Sequence, residues 1–121
     1  MSKAEEVVKY KLQFVLDRPP YWEGYPSMES WRRVLFNLRL IGLDPSRYGG
    51  LAYGNVSQRL GGISFVISAT QTGGMAQLEP RHYCLVEHAE LAANFILARG
   101  RYPPSSEALT HAAVYQACLL E

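Results

Sequence analysis

The sequence predicts one small domain of mixed helix and strand. Its 121 residues suit a single domain with a core of its own. Between Met28 and Ile41 apolar residues recur at helical spacing. Two strand-like runs, "LAYGNVSQRL" and "ISFVIS", stand either side of Gly61-Gly62, as in a hairpin.

Residues 1–26 mix charged and apolar positions and end in the Pro- and aromatic-rich "DRPPYWEGYP"; they read as an N-terminal extension to a core over 27–121. Met28, Trp31, Val34, Leu35, Leu38 and Ile41 predict the first helix, apolar face inward. Ser27 after Pro26 is its expected N-cap and Gly42 its expected stop. "LDPSRYGG" follows as a loop. Val56, Ile63, Phe65, Val66 and Ile67 favour strand, and the glycine pair suits a tight turn. "ATQTGGMAQLEP" is a Gly/Thr loop and "YCLV" a short strand. "AELAANFILARG" favours helix by propensity, although Phe95-Ile96-Leu97 running into Gly100 and Pro103-Pro104 also fits a strand before a turn. A last helix starts at Ser105 or Ser106, with small residues suited to packing on a sheet.

Composition excludes several classes. The formal net charge is +1, with no global attraction to nucleic acid or membranes. No apolar run approaches the roughly 20 residues of a membrane span. "MSKAEEVVKYK" lacks a signal-peptide core, so a cytoplasmic location is expected. Cys84 and Cys118 have no zinc-finger spacing and read as two reduced core thiols. His82 and His88 read as ordinary surface or loop residues.

Three stretches offer groups for an anionic ligand. Ser105 and Ser106 open a helix, where free N–H groups and the helix dipole favour negative charge; Glu107 follows, and the same pattern is also an ordinary serine cap with a dipole-complementing acid. His111 lies one turn beyond Glu107, as half of a metal pair or as a satisfied, partly buried histidine. In "YGNVSQR", Gly54 inside a strand-like stretch marks a close backbone approach, and Asn55 can present its amide to a ligand oxygen. "SATQTGG" supplies Ser68, Thr70, Thr72, Gly73 and Gly74, able to offer amides and hydroxyls to a phosphate, without the lysine of a P-loop.

The order "GNVSQR", "FVISATQTGG", "YCLV", "PPSSEALTHAAVY" resembles the N-terminal half of the class II aldolase/adducin-like domain, over roughly residues 28–117. The resemblance implies a partial three-layer α/β/α sandwich around a mainly antiparallel sheet. It also implies that "AELAANFILARG" is a turn and a strand near Asn94–Arg99, against the local propensity. In the family's sugar-phosphate aldolases the matching positions hold the substrate phosphate. By resemblance these are Asn55, Thr72 with Gly73, Ser105 and Ser106, with Thr70 able to replace Thr72 because the loop is one residue longer. Glu107 matches the acid/base that moves a proton beside the carbonyl. Family active sites lie between neighbouring subunits, so a homo-oligomer is expected.

The family's catalytic zinc is held by three histidines, an H-x-H pair after the serine–glutamate helix and one later. His82, His88 and His111 do not match them, so the expectation is a truncated domain without bound zinc. It would be inactive alone, open to a phosphorylated sugar or aldehyde and to complementation by a C-terminal half. The alternative is a non-enzymatic interaction module of adducin-head type. A third reading is an unrelated α+β protein whose motifs are turn and cap chemistry.

Overall fold

Strand alternation decides how this chain layers. Residues 10–118 are described by a computed structural model. Five strands, β1 (Lys11–Leu16), β4 (Ser57–Gly61), β5 (Ser64–Ser68), β6 (Tyr83–Glu90) and β7 (Phe95–Gly100), form one sheet in the order β1-β7-β6-β5-β4. Every pairing is antiparallel except β1 with β7. Two short strands, β2 (Gly42–Leu43) and β3 (Ala52–Tyr53), pair separately. The helices are α1 (Tyr25–Asn37) and α2 (Ala108–Cys118).

Successive strand residues face opposite sides. Phe65 and Ile67 pack with Ala108 and Ala112 of α2, whereas Val66 between them packs with Met28 of α1. The helices therefore cover opposite faces of the sheet. Alanines one turn apart let α2 lie close, as its small residues predict, and Phe65 meets Tyr115 at a ring separation of 5.2 Å.

The predicted hairpin is present: β4 and β5 join through Gly62, at φ 55°. "YCLV" is the start of the longer β6. "AELAANFILARG" is the 91–94 turn followed by β7, as the resemblance implies. Ile96 and Ala98 pair with Ala89 and Val86 and are fully buried, and that burial outweighs helix propensity.

Four expectations need correction. Lys11–Leu16, read as part of an extension, is an edge strand of the main sheet; its crossover partner β7 lies some eighty residues away, beyond any local signal. Cys84 is buried but Cys118 is exposed, so only one thiol is in the core. The N-cap of α1 is Gly24 rather than Ser27, because Pro26 fits the first helical turn. The helix ends at Asn37, short of Gly42. Arg39 N–H donates to Phe36 O and Leu40 N–H to Leu35 O, with Arg39 at φ 63°. These are the bonds of a Schellman stop with arginine where glycine is usual, and Tyr53 OH donates to the Arg39 carbonyl at 2.9 Å.

The inward face of α1 is the fourth. Trp31 is 67 % exposed and Leu38 64 %, while Glu29 and Arg32 are buried. Glu29 accepts from Leu78 N–H at 2.7 Å and Tyr83 OH at 2.8 Å. Arg32 Nη2 donates to Thr72 O at 3.0 Å and Met75 O at 2.8 Å. Buried charges persist only where hydrogen-bonded, and these two clamp the 72–78 loop to the helix.

Candidate functional site

The end of β5 assembles the site. Ser105 N–H donates to Ser68 O, and Thr70 N–H to Pro103 O, with Ala69 bridging Pro104. These bonds bring the start of α2 beside the 69–75 loop. Tyr10 OH, donating to Ser105 O at 2.8 Å, pins the segment from below; burial raises the phenol well above its usual range, so it stays a neutral donor.

A cleft of about 220 Å³ lies there, lined by Asn55, Thr70, Gly73, Ser105, Ser106 and Glu107. Tyr48 and Tyr53 also border it. The volume is below the roughly 300–1,000 Å³ of drug-sized pockets and suits a small molecule. Five of the six residues expected at a phosphate site with an acid/base thus share one cavity. Thr72 is the exception: it is buried and its Oγ1 donates to Ala69 O at 2.8 Å, closing its own turn. Thr70, and not Thr72, lies on the cleft wall.

The paired serines have separate tasks. Ser105 is buried and its Oγ accepts from Glu107 N–H at 3.1 Å, a serine cap. Ser106 has no hydrogen-bond partner among the described residues and is half-buried on the cleft. Glu107 also lines it, one carboxylate oxygen accepting from Thr110 Oγ1 at 3.3 Å. Gly73 passes so close to the β2–β3 pair that a Cβ would lie 2.6 Å from Tyr53 O. Gly54 makes the expected close approach too, against Leu40 O rather than a ligand.

Two participants escaped the sequence reading. Ser57 Oγ lies 2.6 Å from His111 Nδ1 and 2.6 Å from Tyr115 OH, and His111 Nε2 lies 2.5 Å from Asn55 Oδ1. The signal was spacing: Asn55 and Ser57 are two apart along the chain, and His111 and Tyr115 share a helix face at i, i+4. His111 is therefore a satisfied, half-buried histidine.

Of the other two histidines, read as ordinary surface or loop residues, His82 departs from that reading and His88, its side chain 44 % exposed, does not. His82 is buried; its Nδ1 accepts from Glu79 N–H at 3.0 Å, and its ring stacks on Tyr102. His88 Nε2 pairs with Glu90 at 2.9 Å, a carboxylate two residues away that crosses no turn.

Burial lowers the pKa of His111, opposed in part by Glu107, and of His82, where Arg81 adds to the effect. Both folded values lie below the ordinary 6.5. The unfolded chain thus binds protons that the native state refuses. Stability is full above about pH 6.5 and falls as the pH drops through the folded values. Urea midpoints measured from pH 8 to 4 should decline starting near pH 6.5; a flat profile down to about 4.5, where carboxylates titrate, contradicts this.

Zinc does not fit the described residues. No three His, Cys, Asp or Glu among them come together as a ligand group. Both His111 ring nitrogens are already engaged, so the Glu107/His111 spacing does not make a metal pair. Nor, among the described residues, is any helix long and apolar enough to cross a membrane. The chain matches no family model, no curated protein and no solved structure.

Proposed function

We propose that the chain is a class II aldolase/adducin-like domain whose cleft binds the phosphate of a small phosphorylated sugar or aldehyde. The convergence of Asn55, Thr70, Gly73 and Ser106 beside Glu107 on one small cavity carries this reading. An oxyanion there meets a carboxamide, two hydroxyls and the N-terminal end of α2, all suited to negative charge. Glu107, on the wall of the same cleft, would take the role of acid/base beside the carbonyl of a ligand held there. Helices on both faces of a mainly antiparallel sheet support the three-layer sandwich. Among the described residues no Lys or Arg lines the cleft and no three metal-ligating side chains come together. The chain alone is expected to bind phosphate esters without cleaving a carbon–carbon bond.

The adducin-like alternative draws on a different observation. Trp31, Val34 and Leu38 form an exposed apolar stripe on α1, and β4 is an open sheet edge; both favour association, with a second copy or a complementing half.

Calorimetric titration with inorganic phosphate and dihydroxyacetone phosphate tests the leading reading. Saturable binding should weaken about tenfold in Ser106→Ala and again in Asn55→Ala, matching hydrogen bonds to a charged group. Absence of saturable binding rejects it. Zinc-dependent aldol cleavage by the chain alone would reject the claim of inactivity.

A further inference from the structure

The four side chains behind the cleft form a hydrogen-bond series whose direction can be worked out. Tyr115 OH and Ser57 Oγ are 2.6 Å apart, as are Ser57 Oγ and His111 Nδ1, and His111 Nε2 is 2.5 Å from Asn55 Oδ1. With the imidazole neutral and Ser57 Oγ both donating and accepting along the series, two directions satisfy these distances. In one, the phenol donates to Ser57, Ser57 donates to Nδ1, and Nε2–H donates to the Asn55 carbonyl oxygen. In the other every proton runs backward, and the Asn55 NH2 is spent on His111. Chemistry separates them. A phenol is a stronger donor than an aliphatic hydroxyl. Reversal would also leave the Tyr115 proton, beside Phe65, without an acceptor among the described residues, and an orphaned polar hydrogen in a half-buried place is costly. The forward direction satisfies every proton in the series.

We propose that Tyr115, Ser57 and His111 form a one-way relay that holds the Asn55 carboxamide with its NH2 facing the cleft. His111 is thereby a positioning residue, and the cleft selects ligands that only accept hydrogen bonds. The proposal rests on the phosphate reading for its ligand but not for its geometry. In the forward direction Asn55 Nδ2 has no partner among the described residues and offers both protons to the cleft. In the reverse direction the cleft would meet a carbonyl oxygen, which repels an oxyanion. The relay also explains why neither His111 nitrogen is free: the ring carries orientation from α2 to the strand-side asparagine.

Two measurements on the full chain decide it. Imidazole nitrogen NMR at pH 8 reports the tautomer directly and needs no variant. The expected result is His111 with the proton on Nε2; a proton on Nδ1 overturns the relay, whether or not any ligand binds. The second is phosphate affinity in Ser57→Ala, with the fold checked by circular dichroism. Affinity should fall about tenfold. The double variant Ser57→Ala/Asn55→Ala should bind no worse than Asn55→Ala, since the serine acts only through the asparagine. Unchanged affinity in Ser57→Ala, or additive losses in the double variant, overturns the positioning role. If inorganic phosphate does not bind the wild type, the phosphate reading fails, and the tautomer alone still judges the relay.

Discussion

Arg32→Met is expected to destabilise the domain by about 3 kcal/mol, the largest effect of any polar substitution in it. Arg32 is 1 % exposed. Its Nη2 holds the carbonyls of Thr72 and Met75, and its guanidinium lies over the Phe36 ring, 5.8 Å from the centroid. Methionine fills most of the volume but donates nothing, so the Met75 carbonyl loses the guanidinium and the Thr72 carbonyl keeps only the Met75 N–H. It also removes a positive charge that interacts with Glu29, whose field supports the protonated guanidinium against the burial that lowers its pKa. A lone buried carboxylate is the costlier half of such a pair. Urea unfolding reads the loss, as does a melting temperature lower by about 10 °C. The double variant Glu29→Gln/Arg32→Met should lose less than the sum of its parts, because neutralising Glu29 removes the stranded charge. A loss under about 1 kcal/mol for Arg32→Met would mean that water already serves those carbonyls. The same clamp holds the loop carrying Thr70 and Gly73, so phosphate affinity should fall alongside stability.

Arg32 also shows where sequence reasoning stops. The helical period that starts at Met28 finds α1 but not its ends at Tyr25 and Asn37, because period depends on the helix alone and its limits on caps. Which side turns inward depends on what the helix meets. Here it meets a loop that needs donors and a tyrosine that needs an acceptor, so Glu29 and Arg32 go in and Trp31 and Leu38 stay out. No hydropathy pattern encodes the needs of a loop forty residues away. The same limit hid β1, whose partner lies far along the chain. Short-range devices were legible: the Gly62 turn and the serine cap on α2 both act within a few residues. Candidate site residues were legible for a mixed reason. Asn55, Ser106 and Glu107 stand at element ends, where side chains are released from packing. Thr72 stands at a similar place but spends its hydroxyl on Ala69 O, a local bond that composition cannot foresee.

Gly73→Ala is expected to cost about 2 kcal/mol and to damage the cleft more than the fold. The reason is steric and not conformational, since Gly73 is absent from the residues at positive φ. An added Cβ would lie 2.6 Å from Tyr53 O, 2.8 Å from Gly42 O and 3.1 Å from Tyr53 N. All three are backbone atoms of β2 and β3, held by their mutual pairing, so the loop must move away from them. That movement strains the bond from Ala52 N–H to Gln71 Oε1 at 3.0 Å and shifts Thr70 on the cleft wall. Alanine also narrows the unfolded ensemble, which returns about 0.4–1 kcal/mol; the net figure allows for that. Gly74→Ala is the matched control, since its Cβ would meet only Leu43, whose Cβ lies at 3.0 Å. A shift of a few tenths of an ångström relieves that single contact, so the variant should lose less than about 1 kcal/mol. Urea unfolding and phosphate titration of the two variants read the contrast. Equal losses would mean that the 73–74 loop yields freely, and a rigid wall against which Asn55 and Ser106 hold an oxyanion would then be lost from the physical picture.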